Sequence, residues 1–207
     1  MSTGIVKQSE VDLAKAPHLA RILAIDAFWP TSATETGTGE MVTAVEDAVR
    51  MGVDCIKMLL PWQVSDIEKV QYCKRIGKVV GEAAKWDMPV MVEPVFLNVA
   101  RSPEIIEAEL EVARVGYDLG ADIIKITFPG VDATAKLCAE LDIPIVVAGG
   151  PMSGDAKSTL RDIRESIEAG AQGVVVGRKI WQRPEAEAAD MIKEIAGYTR
   201  KSYTRKW

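Results

Sequence analysis

The chain has 207 residues, 48% of them hydrophobic, with 25 Lys and Arg against 30 Asp and Glu for a net charge of −5. This suits one core and one domain spanning 1–207, and scattered cations on an acidic chain argue against a nucleic-acid partner. No basic segment leads into an apolar one, and no run approaches the roughly 20 apolar residues of a spanning helix, so the expectation is a cytoplasmic protein without a membrane partner.

In chain order, Gly4-Ile5-Val6-Lys7 is a place where an early strand could hide, and His18 reads as a surface or helix-start residue. Arg21-Ile22-Leu23-Ala24-Ile25-Asp26 is the first clear strand, followed by a polar loop over 31–39 that would lie on a catalytic face. Arg50-Met51-Gly52-Val53-Asp54-Cys55-Ile56-Lys57 introduces a joint that recurs at Gly120-Ala121-Asp122-Ile123-Ile124-Lys125 and at Gly170-Ala171-Gln172-Gly173-Val174-Val175-Val176. In each, a helix ends at a glycine and an apolar strand begins two or three residues later. A second joint uses proline to open the strand, at Asp87-Met88-Pro89-Val90-Met91-Val92-Glu93 and Asp142-Ile143-Pro144-Ile145-Val146-Val147-Ala148. Ser65-Asp66-Ile67-Glu68 forms a capping box, and Ser102-Pro103-Glu104 starts another helix. The tail from Tyr198 to Trp207 is basic and aromatic, suited to disorder or to an oligomer contact.

Six continuous apolar strands alternating with helices imply parallel βαβ units buried on both faces. No G-x-G-x-x-G follows the first strand, which argues against a dinucleotide-type open sheet. The expected fold is therefore a (β/α)8 TIM barrel, possibly lacking one or two N-terminal strands, since complete barrels take about 250 residues.

One histidine excludes His-rich metal sites and Ser-His-Asp hydrolysis, so the chemistry must fall to Lys, Glu, Asp, Tyr or backbone groups, with no metal and no cofactor called for. Cys55, Cys73 and Cys138 are widely spaced and are read as reduced thiols. In a parallel barrel functional groups project from the C-terminal ends of strands. Here those ends carry Asp26, Lys57, Glu93, Lys125 with Thr127, Gly149-Gly150, and Gly177-Arg178. A lysine in a buried strand can be a neutral nucleophile, its pKa depressed by desolvation and a neighbouring cation. Lys125 would form an imine with a ketone, and Glu93, with Asp26 as second candidate, would move protons. The other open reading makes Lys57–Glu93 or Lys125–Glu93 a structural ion pair. The glycine pairs after the last two strands suit a phosphate site built from backbone N–H groups, with Arg178 adding a charged donor.

Ala121-Asp122-Ile123-Ile124-Lys125, Ala148-Gly149-Gly150-Pro151 and Val176-Gly177-Arg178-Lys179-Ile180-Trp181-Gln182, in that order, resemble the class I aldolase superfamily of the archaeal-type fructose-bisphosphate, tagatose-bisphosphate and deoxyribose-phosphate aldolases. The resemblance runs from about Glu40 to Arg183. It implies a Schiff base at Lys125, phosphate held around Gly149, Gly150, Gly177 and Arg178, and cleavage of a phosphorylated ketose to dihydroxyacetone phosphate and an aldehyde by a homo-oligomer. Val92-Glu93-Pro94 stands where archaeal-type fructose-bisphosphate aldolases usually carry a tyrosine. The sequence is in that respect closer to the tagatose-bisphosphate and sulfo-sugar phosphate branch, which makes Glu93 the general acid/base. The family also begins with two strands, the first bearing an aspartate, that are not found here. Superfamily members acting as thiolases or transferases on phosphorylated diketones or aromatic precursors are an alternative, as is a non-catalytic truncated barrel.

Overall fold

The computed structural model describes residues 1–16, 19–27, 40–96, 99–149 and 155–203. His18, the 31–39 loop, Gly150 and the end of the tail lie outside the described residues. The chain divides into two compact units, Met1–Ile123 and Ile124–Trp207, taken here in turn.

The first unit opens with two short helices, α1 (Thr3–Gln8) and α2 (Glu10–Ala14), so Gly4–Lys7 is helical and not a strand. Only Val6 of α1 is buried, one inward residue in a single turn where a strand would turn in every second residue. Next come β1 (Ile22–Ala24), β2 (Asp26–Ala27), β3 (Glu40–Met41), α3 (Val45–Arg50), β4 (Cys55–Pro61), α4 (Asp66–Ala83) and a 3₁₀ turn at Ala84–Trp86. β5 (Val90–Val95) and α5 (Pro103–Asp118) complete it. β1, β4 and β5 pair in parallel, with Leu23 opposite Ile56 and Lys57 opposite Met91. Leu23, Ile25, Ile56, Met58, Leu60, Ile76, Val90 and Val92 form its core, matching the continuous apolar runs expected of doubly covered strands. β2 and β3 pair antiparallel, a feature the sequence reading did not include.

The second unit holds β6 (Ile123–Thr127, its first residue on the boundary), α6 (Val131–Glu140), β7 (Ile145–Ala148), α7 (Ala156–Glu168), β8 (Gly173–Val175), α8 (Arg178–Trp181) and α9 (Glu185–Tyr203). β6, β7 and β8 pair in parallel, with Lys125 opposite Val146 and Val147 opposite Val174. Ile124, Ile126, Leu137, Ile145, Val147, Ile163 and Met191 are buried. The tail expected to be disordered or interfacial from Tyr198 is helical as far as Tyr203. Among the described residues there are thus six parallel strands, in the α/β class foreseen, and not the eight of a complete barrel.

The recurring glycine joint has a physical purpose beyond ending the helix. Gly52, Gly120 and Gly170 all have positive φ (65°, 92° and 114°), as the left-handed residue after a helix requires. Two residues on, Asp54, Asp122 and Gln172 each make the same two-way contact with the start of the adjoining strand. Arg21 N donates to Asp54 Oδ2 (2.6 Å), Val90 N to Asp122 Oδ2 (2.8 Å) and Ile145 N to Gln172 Oε1 (2.9 Å). In return the backbone N–H groups of Asp54, Asp122 and Gln172 donate to the carbonyls of Arg21, Val90 and Ile145, each at 2.9 Å. A strand's first N–H would otherwise go unmatched, and this arrangement satisfies it while fixing register. At the proline joints, Pro89 and Pro144 lack an N–H but accept at their carbonyls, from Ile56 N and Ile124 N, both at 3.0 Å. The Ser65 capping box and the Ser102 cap form as the sequence predicts.

Candidate active site

In the first unit three of the expected polar residues converge. Lys57 Nζ lies 2.6 Å from Glu93 Oε2, with both side chains 18% exposed. Lys57 projects from the middle of β4, and Glu93 lies two residues further along on the neighbouring strand, opposite Leu59. Asp26 on β2 is buried, and its Oδ2 accepts a 2.6 Å hydrogen bond from Leu59 N. Its Oδ1 is buried with no hydrogen-bond partner among the described residues. Burial pushes the Asp26 carboxyl above its ordinary range, opposed by the Leu59 N–H and the Lys57 charge and aided slightly by Glu93. A buried carboxyl held toward its protonated form, beside an ion-paired Lys57–Glu93, is a proton-handling arrangement.

Sequence reading missed three residues that stand around Asp26. Tyr72 of α4 is buried, and its phenol is raised by burial, held back by Arg75, and raised further by Glu68, Asp26 and Glu40. Arg75 lies 5.3 Å from the centre of the Tyr72 ring and 3.1 Å from Glu40 Oε1 of β3. The signal for Tyr72 was available, since Tyr72, Ile76, Val79 and Ala83 form the buried stripe of α4 at helical spacing. No local pattern announces Glu40, which reaches Arg75 across 35 residues.

In the second unit Lys125 occupies the middle of β6, half-buried, and Thr127 ends that strand opposite Ala148. Gly149 follows β7, and its N–H donates to Val175 O at 3.0 Å. A Cβ on Gly149 would stand 2.9 Å from Val176 Cγ1, and one on Gly177 would stand 2.6 Å from the Trp181 ring. A side chain at either position would require its neighbour to move, Val176 at Gly149 and the exposed Trp181 ring at Gly177. The Gly149 amide, read from the sequence as a donor to phosphate, is instead committed to Val175. Arg178 begins the single-turn α8 directly after Gly177.

The remaining nucleophiles fit no role here. Cys55 is buried and its thiol is pushed up to about 11, so it is not a thiolate near neutral pH. Cys73 is also free, and burial raises its thiol as well. Among the described residues no group of three or more His, Cys, Asp or Glu could hold a metal ion. No described helix is long and apolar enough to cross a membrane.

The fold is of the α/β class, with six parallel strands among the described residues and polar groups toward their ends. The family model for DeoC/LacD aldolases matches residues 1–183, and the chain belongs to that family. It is 30% identical over 149 residues to a class 1 fructose-bisphosphate aldolase of Thermoproteus tenax, covering 69% of this chain and 55% of that protein. It is also 30% identical over 162 residues to a 2-amino-4,5-dihydroxy-6-oxo-7-(phosphonooxy)heptanoate synthase of Streptomyces griseus, covering 75% of this chain and 57% of that protein. A solved Schiff base-forming fructose-1,6-bisphosphate aldolase shares the fold, with a TM-score of 0.73 at 24% identity over 94% of this chain and 76% of that one. The chain thus spans little more than half the length of these curated relatives.

Proposed function

We propose that this chain is a class I aldolase, with residues 1–207 acting as one barrel-type domain on a phosphorylated ketose. The observation that carries the reading is Lys125 in the middle of a parallel strand, at the position the family resemblance gives the imine-forming lysine, in a chain whose other strand ends carry Asp26, Lys57 and Glu93.

The chemistry follows from those groups. The neutral Lys125 amine adds to the ketone carbon, and the carbonyl oxygen takes up a proton to give a carbinolamine. Loss of water, with a proton supplied to the departing hydroxyl, leaves a protonated imine. That cation draws in the electron pair of the bond between the α and β carbons, while a carboxylate removes the proton of the β-carbon hydroxyl, whose oxygen becomes the aldehyde carbonyl. An aldehyde departs and an enamine stays on the lysine; protonation of its carbon and hydrolysis release dihydroxyacetone phosphate. Glu93, paired with Lys57, is assigned the proton transfers, with Asp26 supporting them. Gly150, Gly177 and Arg178 are assigned to the phosphate.

The test is borohydride reduction in the presence of dihydroxyacetone phosphate, followed by peptide mass mapping. A reduced adduct on Lys125, absent from Lys125→Met, is the expected result. An adduct elsewhere would remove the assignment, and no adduct at all would favour a non-catalytic barrel. The identity with the heptanoate synthase supports a second reading, in which the same imine serves a bond-forming reaction between phosphorylated substrates. Product analysis separates the two, since both label Lys125.

A further inference from the structure

Asp26 is placed by a device that neither the sequence nor its proposed role reveals. Its strand, β2, is two residues long and pairs only with the equally short β3, Asp26 opposite Met41 and Ala27 opposite Glu40. Just outside this pair, Val42 N and Thr43 N both donate to Ile25 O, at 2.9 and 3.2 Å. Ile25 N is tied to β4 through Lys57 O at 3.2 Å, so beyond that bond the backbone around Asp26 depends on where the 40–43 segment sits. A two-stranded ribbon this short is marginal on its own and needs an outside anchor.

That anchor is on α4. The helix is fixed against the first unit by the buried Tyr72, Ile76, Val79 and Ala83. From it Arg75, only 20% exposed, reaches Glu40 Oε1 at 3.1 Å while its guanidinium lies against the Tyr72 ring. The ring restricts the guanidinium, and the guanidinium restricts Glu40 and with it β3. A planar, stacked, forked donor does this where an ammonium does it less well.

We propose that Arg75 is a positioning residue for Asp26, acting through Glu40 and β3 to hold the carboxyl on the Leu59 amide and beside Lys57 and Glu93. The inference deepens the aldolase reading and rests on it for its catalytic consequence, but not for its structural one. The ion pair joins a half-buried Arg75 to a Glu40 that is 66% exposed, so it adds little to global stability. Its effect is confined to geometry at Asp26.

The experiment uses the full chain with Arg75→Met, Glu40→Gln and Arg75→Lys. Two readouts are taken: the rate at which dihydroxyacetone phosphate exchanges its carbon-bound proton with solvent deuterium, and the carbon-13 titration of the Asp26 carboxyl, assigned by its loss in Asp26→Asn. Lys57, Glu93 and Tyr72 are the titratable groups that act on or sense that carboxyl. Arg75→Met and Glu40→Gln are expected to slow exchange about tenfold through kcat, with KM within about twofold, a fraction of a full general acid–base contribution. They should also move the Asp26 titration toward the ordinary carboxylate range, with Tm nearly constant. Arg75→Lys should recover about half of the loss.

Unchanged exchange and an unchanged Asp26 titration in Arg75→Met would overturn the proposal. So would a loss equal in all three variants that tracks a fall in Tm, since that is a plain stability effect. If the native chain shows no exchange and no borohydride adduct, the aldolase reading fails. The titration then decides alone: a shift in Arg75→Met and Glu40→Gln upholds the positioning, and its absence overturns it.

Discussion

The strand ends of the two units are furnished in opposite ways. In the first unit they carry charge: Asp26 on the Leu59 amide, and Lys57 against Glu93 at 2.6 Å. In the second, beside Thr127 at the end of β6, glycines follow β7 and β8, where a Cβ on Gly149 would stand 2.9 Å from Val176 and one on Gly177 2.6 Å from the Trp181 ring. The lysines make the contrast concrete. Lys57 is ion-paired with Glu93 across adjoining strands, whereas Lys125 stands in the middle of β6, half-buried.

Each half of that contrast can be broken separately. The largest effect is expected at Lys125, where Met should leave no trapped adduct, as described above. Glu93→Gln should come next, slowing turnover by roughly 100-fold or more and leaving Lys57 with a neutral partner; steady-state kinetics would show it, and an unchanged rate would move the proton-transfer role to Asp26. On the glycine side, Gly149→Ala should destabilise by about 1–3 kcal/mol by overpacking against Val176. Gly177→Ala should cost less, since the Trp181 ring it meets is 70% exposed and free to swing aside. Denaturant midpoints would rank the two, and the reverse order would mean that Trp181 is held more firmly than its exposure implies.

Smaller still is the cost of unpinning a strand. Asp122→Ala should remove the acceptor for Val90 N and destabilise by about 1 kcal/mol. The smallest effect is a slope. With its folded-state pKa raised above the unfolded value, Asp26 supports stability below pH about 4 and withdraws it as pH rises through the raised value. Asp26→Asn should flatten that decline in Tm, and a decline of equal steepness in the variant would place its source elsewhere.

Much of this was legible in the sequence because it depends on local rules. Gly52, Gly120 and Gly170 mark helix ends, Pro89 and Pro144 mark strand starts, and a polar residue closing an apolar run marks the strand mouth. All six parallel strands follow from those signs. What escaped depends on contacts distant in sequence. The two residues of β3 have no hydrophobic period to read, and they exist as a strand only because Asp26 and Ala27 lie opposite. Val6 and Ile5 suggested a strand because two adjacent apolar residues do not reveal a period, and the single inward residue of α1 settles it as helix. The Lys57–Glu93 ion pair was one of the alternatives left open by the residues, and their placement on adjoining strands is what brings it about.

The two-way contacts of Asp54, Asp122 and Gln172 make the three repeats that enter through a glycine joint self-indexing. A newly added strand is locked to its neighbour by a residue it carries itself, before any ring has to close. A fold assembled from such units can lose or gain whole repeats without resetting the alignment of those that stay.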